Sequence, residues 1–299
     1  MNNHSQNGTH EKRSAALSSV IAAIGLTGFK VVVGLTTGSL GILAEAAHSG
    51  LDLMAAVMTF LAVRISGKPA DRTHRYGHGK VENLSALFET VLLLLTCLWI
   101  LYEAGHRLMY HTAHLRVTFW SFAVMITSII VDVSRSRILY RAARKYNSQA
   151  LEADALHFST DIWSSAVVIV GLLCVKISEW APRVAFLRNA DSVAAIMVGL
   201  IVVYVSVQLG MRTIQALLDV APSGIEDRII TAVECLSGVI DCHNVRLRYS
   251  GSQLFVDIHV LVDGGQTLKQ AHDLTDEIEH TIEQFLPNVD VTIHPEPHM

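Results

Sequence analysis

Long apolar runs, separated by short polar segments, dominate the first two thirds of the chain. A helix needs about 20 mostly apolar residues to cross the hydrocarbon core of a bilayer. Six segments meet this requirement: 14–36, 39–65, 82–106, 116–138, 151–177 and 191–213. The pattern therefore predicts a membrane all-α six-helix bundle, preceded by a polar N-terminal tail of residues 1–13.

The composition supports membrane embedding, because 51% of the residues are hydrophobic and only 17% are charged, whereas soluble domains average about 25% charged residues. The first apolar run is too long for a signal-peptide core and no small-residue cleavage site follows it, so we expect it to remain as a helix. Four cysteines lack CxxC spacing, and we expect them to be unpaired: Cys97, Cys174, Cys235 and Cys242.

The distribution of Lys and Arg among the connections predicts the orientation of the helices, because cytoplasmic loops carry an excess of basic residues. The N-terminal segment and the second-to-third and fourth-to-fifth connections share one side and carry twelve of them, including Lys12 and Arg135. The opposite side carries five: Arg107, Arg116, Lys176, Arg183 and Arg188. Both termini are therefore expected in the cytoplasm.

Residues 221–299 have no long apolar run, and their 13 acidic and 4 basic side chains give a net charge of −9. Hydrophobic periodicity here predicts the order helix, strand, strand, helix, strand. The predicted bounds are 225–236, 244–250, 254–262, 267–285 and 289–295. The chain is thus divided into a transmembrane domain, 14–220, and a small cytoplasmic α/β domain, 221–299.

Alternation along the predicted strands places several polar side chains on one face. The even positions of 254–262 are apolar, so His259 points to the opposite face. In 289–295 and just beyond it, the same alternation places His294 and Glu296 outward.

Two polar pairs with one spacing interrupt the second and fifth apolar segments: His48 with Asp52, and His157 with Asp161. Residues four positions apart share one helix face, and a charged group within a membrane helix indicates function because its burial is costly. Together the two helices would offer two imidazoles and two carboxylates, a tetrahedral set that suits Zn²⁺. The alternative is a hydrogen bond between helices at each pair, and the repetition favours the metal site.

Four other polar residues lie within or beside the predicted spans. Lys30, Glu45 and Glu89 are candidates for buried polar contacts or for residues along a pathway. Asp154 lies one helical turn before His157, near the expected cytoplasmic mouth.

Two further groups of histidines and acids lie outside the apolar segments. In residues 70–80, one helical turn would gather Asp71, His74 and His78. The predicted α/β domain carries a larger group: His243, His259, His272, His294 and Glu296. For both groups the alternative is a set of solvated surface side chains.

These motifs resemble those of the cation diffusion facilitator family, and in particular its bacterial zinc/proton antiporters. The resemblance runs from about residue 12 to the end, and its motifs are HSGLD at 48–52, HFSTD at 157–161, HRYGHGK at 74–80 and QALLDVAP at 215–222. It implies a transport site built from His48, Asp52, His157 and Asp161. Well-studied bacterial relatives carry an aspartate at the position of His48, so this chain resembles the zinc-selective branch instead.

The resemblance also implies further sites and a homodimer. Asp71, His74 and His78 would form a loop metal site. A binuclear cytoplasmic site, in which relatives often carry aspartate at position 296, would comprise His243, His259, His272, His294 and Glu296. The ferredoxin-like cytoplasmic domain would form one dimer contact, and Lys80 and Asp219 would form a charge interlock near the membrane surface.

These features favour a transporter over a metalloenzyme, because four protein ligands leave no open coordination position and no HExxH motif is present. Exchange of cytoplasmic Zn²⁺ for external protons needs only competition for the same ligands. We expect a multi-pass protein of the inner (cytoplasmic) membrane, with the lipid bilayer and a second copy as partners and no nucleic acid. The alternatives are a membrane-anchored metal sensor, and transport of Fe²⁺, Mn²⁺ or Co²⁺.

Overall fold

The computed structural model describes residues 3–38, 40–110, 119–180, 190–286 and 288–298. Six long helices come first: α1 Asn3–Thr37, α2 Leu40–Ser66, α3 Lys80–Tyr110, α4 Phe119–Tyr146, α5 Gln149–Trp180 and α6 Ala190–Leu217. The C-terminal region contains α7 Glu226–Glu234, β1 Val239–Ser250, β2 Gln253–Asp263, α8 Leu268–Phe285 and β3 Val289–His298. This α-β-β-α-β order is the predicted one, although β1 begins at Val239 rather than at residue 244.

Within the described residues, four helical segments are long and apolar enough to cross a membrane: Gly8–Thr37, Glu45–Ser66, Lys80–Trp99 and Ile196–Leu217. A count of six membrane crossings therefore stays a prediction. Three basic residues of the predicted outer connections, Arg116, Arg183 and Arg188, lie outside the described residues, as does the side chain of Cys174. The other three cysteines are unpaired.

Helices α1, α2, α4 and α5 pack against one another, and α3 packs chiefly against α6. The connection between α1 and α2 is short because Gly38 adopts a positive φ of 64°, a conformation that ends a helix at little steric cost in glycine. In the same way Asn147, with φ 49°, separates α4 from α5. These tight turns hold α2 and α5 within one bundle, where their polar faces meet.

The N-terminal segment that the sequence predicts as a tail is helical and continues α1 back to Asn3. Lys12 is buried there, and its Nζ lies 2.7 Å from Glu82 Oε1 of α3. The fully buried Glu82 also accepts hydrogen bonds from Ser66 at the end of α2 and from Ser148 just before α5. One carboxylate therefore ties four helix ends together, and its charge offsets that of the buried lysine.

The C-terminal domain has its own hydrophobic core between one face of the sheet and the two short helices. Antiparallel β1 and β2 pair with each other, and β3 runs parallel to β2. The predicted alternation in β2 holds, with every even position from 254 to 262 buried against α7 and α8. Thr267 and Gln270 form a reciprocal capping box that begins α8.

The turn between β1 and β2 packs against the long helices. Gly251 N donates to Asn83 Oδ1 at 2.9 Å, and Lys12 Nζ donates to Ser252 Oγ at 3.1 Å. A Cβ built on Gly79 would lie 2.2 Å from the carbonyl oxygen of Ser250, so only glycine permits this backbone approach. The cytoplasmic domain is thus joined directly to the helix ends.

Lys80 and Asp219 form an ion pair within one chain, with Lys80 Nζ 2.9 Å from Asp219 Oδ1. The pair links the start of α3 to the segment that follows α6. Arg248 of β1 lies 3.9 Å from the same carboxylate, so the pair also adjoins the cytoplasmic domain.

We expect Glu82→Ala to destabilise the protein, because the change leaves the buried Lys12 ammonium without its counter-charge. Breaking a buried ion pair from one side typically costs about 3–5 kcal/mol, which thermal unfolding in detergent would detect as a lower melting temperature. Glu11→Ala is the matched control, since Glu11 makes an exposed pair with Lys145 and exposed pairs contribute little. Equal melting temperatures for the two variants would contradict the role assigned to Glu82.

Candidate metal centres

Helices α2 and α5 pack together and bring the two predicted His/Asp pairs to one place. His157 Nε2 lies 3.1 Å from Asp52 Oδ1 and 3.8 Å from Asp161 Oδ2. His48 Nε2 lies 3.9 Å from Asp52 Oδ1, and one ligand atom each of His48, Asp52 and Asp161 lies within 4.8 Å of the others. Zinc bonds of about 2.0–2.1 Å imply a tetrahedral edge of about 3.3 Å, so small side-chain shifts would bring these three groups to one ion. His157 is not among the three, but it adjoins both of their carboxylates.

Exposure is graded across these four side chains. His48 is 45% and Asp161 22% exposed, whereas His157 and Asp52 are 13% and 12% exposed. Asp154, one turn before His157, is fully buried. The site is therefore more accessible from the side of His48 and Asp161 than from the side of Asp154.

Lys30 of α1 lies beside this site but cannot ligate a metal while protonated. Its buried Nζ donates to Ser49 Oγ at 2.7 Å and lies 3.4 Å from Glu45 Oε2. Lys30 also interacts electrostatically with Asp52 and Asp161. Its positive charge partly offsets the negative charges of Asp52 and Asp161.

A buried ion pair that the sequence analysis missed flanks the site on α4. Arg135 was assigned to a cytoplasmic connection, but it lies inside α4 with only 4% exposure. Its Nη1 lies 3.6 Å from Asp132 Oδ1, and its Nε and Nη2 donate to Ser19 Oγ. The guanidinium also stacks 3.5 Å from the ring centroid of Phe158, next to His157. The i,i+3 spacing of an acid and a base inside segment 116–138 is the signal that would have found the pair.

The loop group is gathered by turns and not by the helical turn that the sequence suggested. Asp71 Oδ1 accepts hydrogen bonds from the backbone N–H groups of His74 and Thr73, and Gly77 has a positive φ of 76°. His74 Nδ1 and His78 Nε2 each lie 3.4 Å from a carboxylate oxygen of Asp71. The sequence predicts the three side chains of this group, but it does not predict the turns that bring them together.

The local backbone also sets the ionisation of Asp71. Hydrogen bonds from the His74 backbone N–H, and then from the Thr73 hydroxyl, hold the pKa of Asp71 well below its ordinary value of 3.8. The carboxylate is therefore ionised at any physiological pH, which is the form that a metal needs.

A third group lies on the outer face of the cytoplasmic sheet. His243 pairs with His259 across β1 and β2, and His259 pairs with His294 across β2 and β3. Glu296 Oε1 lies 2.7 Å from His259 Nδ1, and Glu296 Oε2 lies 3.4 Å from His243 Nε2. The contact with His259 lowers the pKa of Glu296. The side chains of His243, His259 and Glu296 offer ligand atoms within 4.8 Å of one another.

The other two predicted members lie differently. His294 packs edge-on against His259, with ring centroids 4.8 Å apart, and its Nε2 lies 3.9 Å from Glu296 Oε1. His272 is on α8, is 71% exposed and lies nearest the carboxylate of Asp276. Within the described chain His294 therefore adjoins the group, whereas His272 is not among the three that converge.

Comparisons with known proteins agree with this architecture. The family profile described as Cation efflux transmembrane domain matches residues 16–218, and the one described as Cation efflux protein, cytoplasmic domain matches residues 221–298. The Cation-efflux pump FieF of Serratia proteamaculans is 32% identical over 286 residues, which cover 95% of this chain and 92% of that protein. FieF of Shewanella oneidensis is 30% identical over 284 residues, which cover 95% and 93%.

One solved structure, a variant of MamM-CTD, is 24% identical and covers 25% of this chain and 95% of its own. Its TM-score of 0.24 carries no argument about function.

We expect zinc to raise the melting temperature of the isolated 221–299 fragment at neutral pH, because an ion held by His243, His259 and Glu296 would link all three strands. The gain should disappear below about pH 5, since a ligating imidazole must be neutral and an ordinary imidazole titrates near ~6.5. Calorimetry with and without zinc measures the effect.

His259→Ala should remove the zinc-dependent gain, whereas His280→Ala should retain it because His280 is exposed on α8 outside the group. If the wild-type fragment shows no zinc-dependent shift at neutral pH, the histidines are solvated surface residues only.

Proposed function

The chain belongs to the cation diffusion facilitator family, whose members are membrane transporters and not enzymes, and from this premise we propose that it exports Zn²⁺ from the cytoplasm in exchange for protons. The observation that supports the proposal is the grouping of His48, Asp52 and Asp161 from α2 and α5, with His157 next to both carboxylates. A membrane-anchored metal sensor would not need these side chains inside the helix bundle.

The donor set favours zinc among the divalent cations. Two nitrogens and two oxygens at near-tetrahedral separation match the geometry that zinc adopts in proteins. Calcium and magnesium prefer six or more oxygen ligands, and this site offers too few. Fe²⁺, Mn²⁺ and Co²⁺ are the competing substrates, because imidazole also binds them.

Proton coupling follows from the chemistry of the same ligands. Zinc needs His48 and His157 neutral, so metal binding displaces protons and protonation displaces the metal. Without metal, a protonated His157 would be held between the carboxylates of Asp52 and Asp161, which lie 3.1 and 3.8 Å away. The site thus balances its negative charge with either zinc or protons, and one set of side chains carries both substrates.

The graded exposure supports an arrangement that is open to the outer side. With the N-terminus in the cytoplasm, α2 runs inward and α5 runs outward, so His48 and Asp161 are the outer members of their pairs. They are also the more exposed members, whereas Asp52 and Asp154 are buried and the His157 side chain is only 13% exposed. External protons would reach the ligands in this state, and an inward-open state would load cytoplasmic zinc.

We further propose that the protein works as a homodimer in the inner membrane, with both termini in the cytoplasm. The cytoplasmic domain has a net charge of −9, so two copies repel each other. Zinc at the groups of Asp71, His74 and His78 and of His243, His259 and Glu296 would reduce that repulsion. These sites would regulate the dimer and would not carry the transported ion.

Replacing an intramembrane ligand should abolish transport. His48→Ala and Asp161→Ala each leave three ligands, and we expect zinc uptake into proteoliposomes under a pH gradient to fall to background while the protein still folds. Gly50→Ala is the control on α2, because its added Cβ meets nothing within 4 Å. Transport near the wild-type rate by both ligand variants would contradict the assignment of these residues to the transport site.

Metal selectivity should depend on His48. In His48→Asp the set becomes one imidazole and three carboxylates, and a carboxylate that binds through both oxygens raises the coordination number above the four that zinc prefers. The larger Cd²⁺ accepts a higher coordination number more readily. We expect the ratio of Cd²⁺ to Zn²⁺ uptake to rise in paired flux assays on the two proteins. An unchanged ratio would place selectivity elsewhere in the chain.

A further inference from the structure

A second pair of buried carboxyl groups lies between the metal ligands and the expected cytoplasmic side. Asp154 of α5 is fully buried, and Glu89 of α3 is 4% exposed. The hydroxyl of Ser19 on α1 donates to Asp154 Oδ2 at 3.3 Å, and the hydroxyl of Thr59 on α2 donates to Glu89 Oε1. Each carboxyl group is therefore held at one oxygen by a neighbouring helix.

The second oxygen of each carboxyl group has no such hydrogen bond. Asp154 Oδ1 and Glu89 Oε2 are buried without a hydrogen-bond partner in the described structure, and the two groups interact electrostatically with each other. Two more hydroxyl groups of the neighbouring helices, Ser85 of α3 and Ser206 of α6, are also buried without a partner. Unpaired polar atoms are rare in protein interiors, so the two free carboxyl oxygens call for a ligand or a proton.

We propose that Asp154 and Glu89 form a proton relay between the metal ligands and the cytoplasm. The inference rests on the proposed exchange of zinc for protons. A carboxylate only accepts hydrogen bonds, but a carboxylic acid gains an O–H donor. Ala86 of α3 packs against Ala153 of α5 in one buried cluster, which places Glu89 and Asp154 on neighbouring parts of these two helices. A proton carried by one residue can therefore pass to the other carboxyl group, while Ser19 and Thr59 hold both groups in place.

The surroundings favour a proton over a metal ion at this pair. The Arg135 guanidinium donates to the same Ser19 hydroxyl that contacts Asp154 and interacts electrostatically with Asp154. Repulsion by this guanidinium is about twice as strong for a divalent ion as for a single proton, because it scales with the charge. Neither carboxyl group is accessible, and a hydrated ion would need the helices to separate, whereas a proton can pass along hydroxyl groups.

Asp154 is the member of the pair next to the metal ligands, because it lies one helical turn before His157 on α5. It interacts electrostatically with Arg135 of α4, with His157 and with Asp52 of α2, and also with Glu89 of α3. When zinc takes the nitrogen of His157, the displaced proton passes to the carboxylate of Asp154, which becomes a neutral acid. The proton then moves to Glu89, and Asp154 is again a carboxylate.

The test uses the full-length protein in proteoliposomes, with zinc uptake and a pH-sensitive dye recorded together and zinc affinity measured by calorimetry in detergent. Asp154→Asn and Glu89→Gln keep the size of each side chain and its contact but cannot carry the proton. We expect unchanged zinc affinity and a fall in zinc-coupled proton flux on the order of 10²-fold, the usual effect of removing a positioned proton-transfer group. Asp154→Glu, which keeps a carboxyl group, should retain proton flux.

Glu152→Gln is the matched control, since Glu152 lies on the same helix, is partly exposed and pairs with Arg212 at 2.7 Å. If wild-type protein couples zinc to protons and the two amide variants match its rates, the relay is overturned while the proposed function stands. An equal loss of zinc affinity and flux would also overturn it, because the pair would then support the metal site. If wild-type protein moves zinc without protons, the proposed function itself fails.

Discussion

A charged side chain inside a bundle of membrane helices needs a counter-charge or a bound ion, because removing it from water costs several kcal/mol. The described helices meet this requirement several times. Lys12 pairs with Glu82, Arg135 lies beside Asp132, and His157 lies between Asp52 and Asp161. These pairings decide which helix faces meet, and so they place the ligands.

The pairs differ in whether a metal ion can replace the positive charge of the side chain. A lysine or an arginine is a permanent positive charge under physiological conditions, so the Lys12 and Arg135 pairs are structural. A histidine can lose its proton, and a metal ion can then take its place beside the same carboxylates. Under the proposed function, the protein combines fixed pairs that hold the helices with one exchangeable group that would bind the substrate.

The cytoplasmic domain is connected to the helices through its own strands. His243 and His259 lie on β1 and β2, and the turn that joins these strands contacts Asn83 and Lys12. Lys12 also pairs with Glu82, which ties the helix ends. A metal that tightens the strands therefore acts on a continuous set of contacts leading to the membrane domain, whereas the exposed Asp71 group lies in the neighbouring loop.

The sequence by itself determined the elements and the chemistry that depends on local spacing. The apolar runs predicted the long helices, strand parity predicted the outward face of His259, and the i,i+4 pairs predicted ligands on α2 and α5. The turn geometry around Asp71, the burial of Lys12, and the position of His272 apart from His243 could not be predicted in this way. These features depend on which partner from a distant segment arrives at each side chain, and the free energy of burying a charge is set by that partner. Only the tertiary structure could decide them.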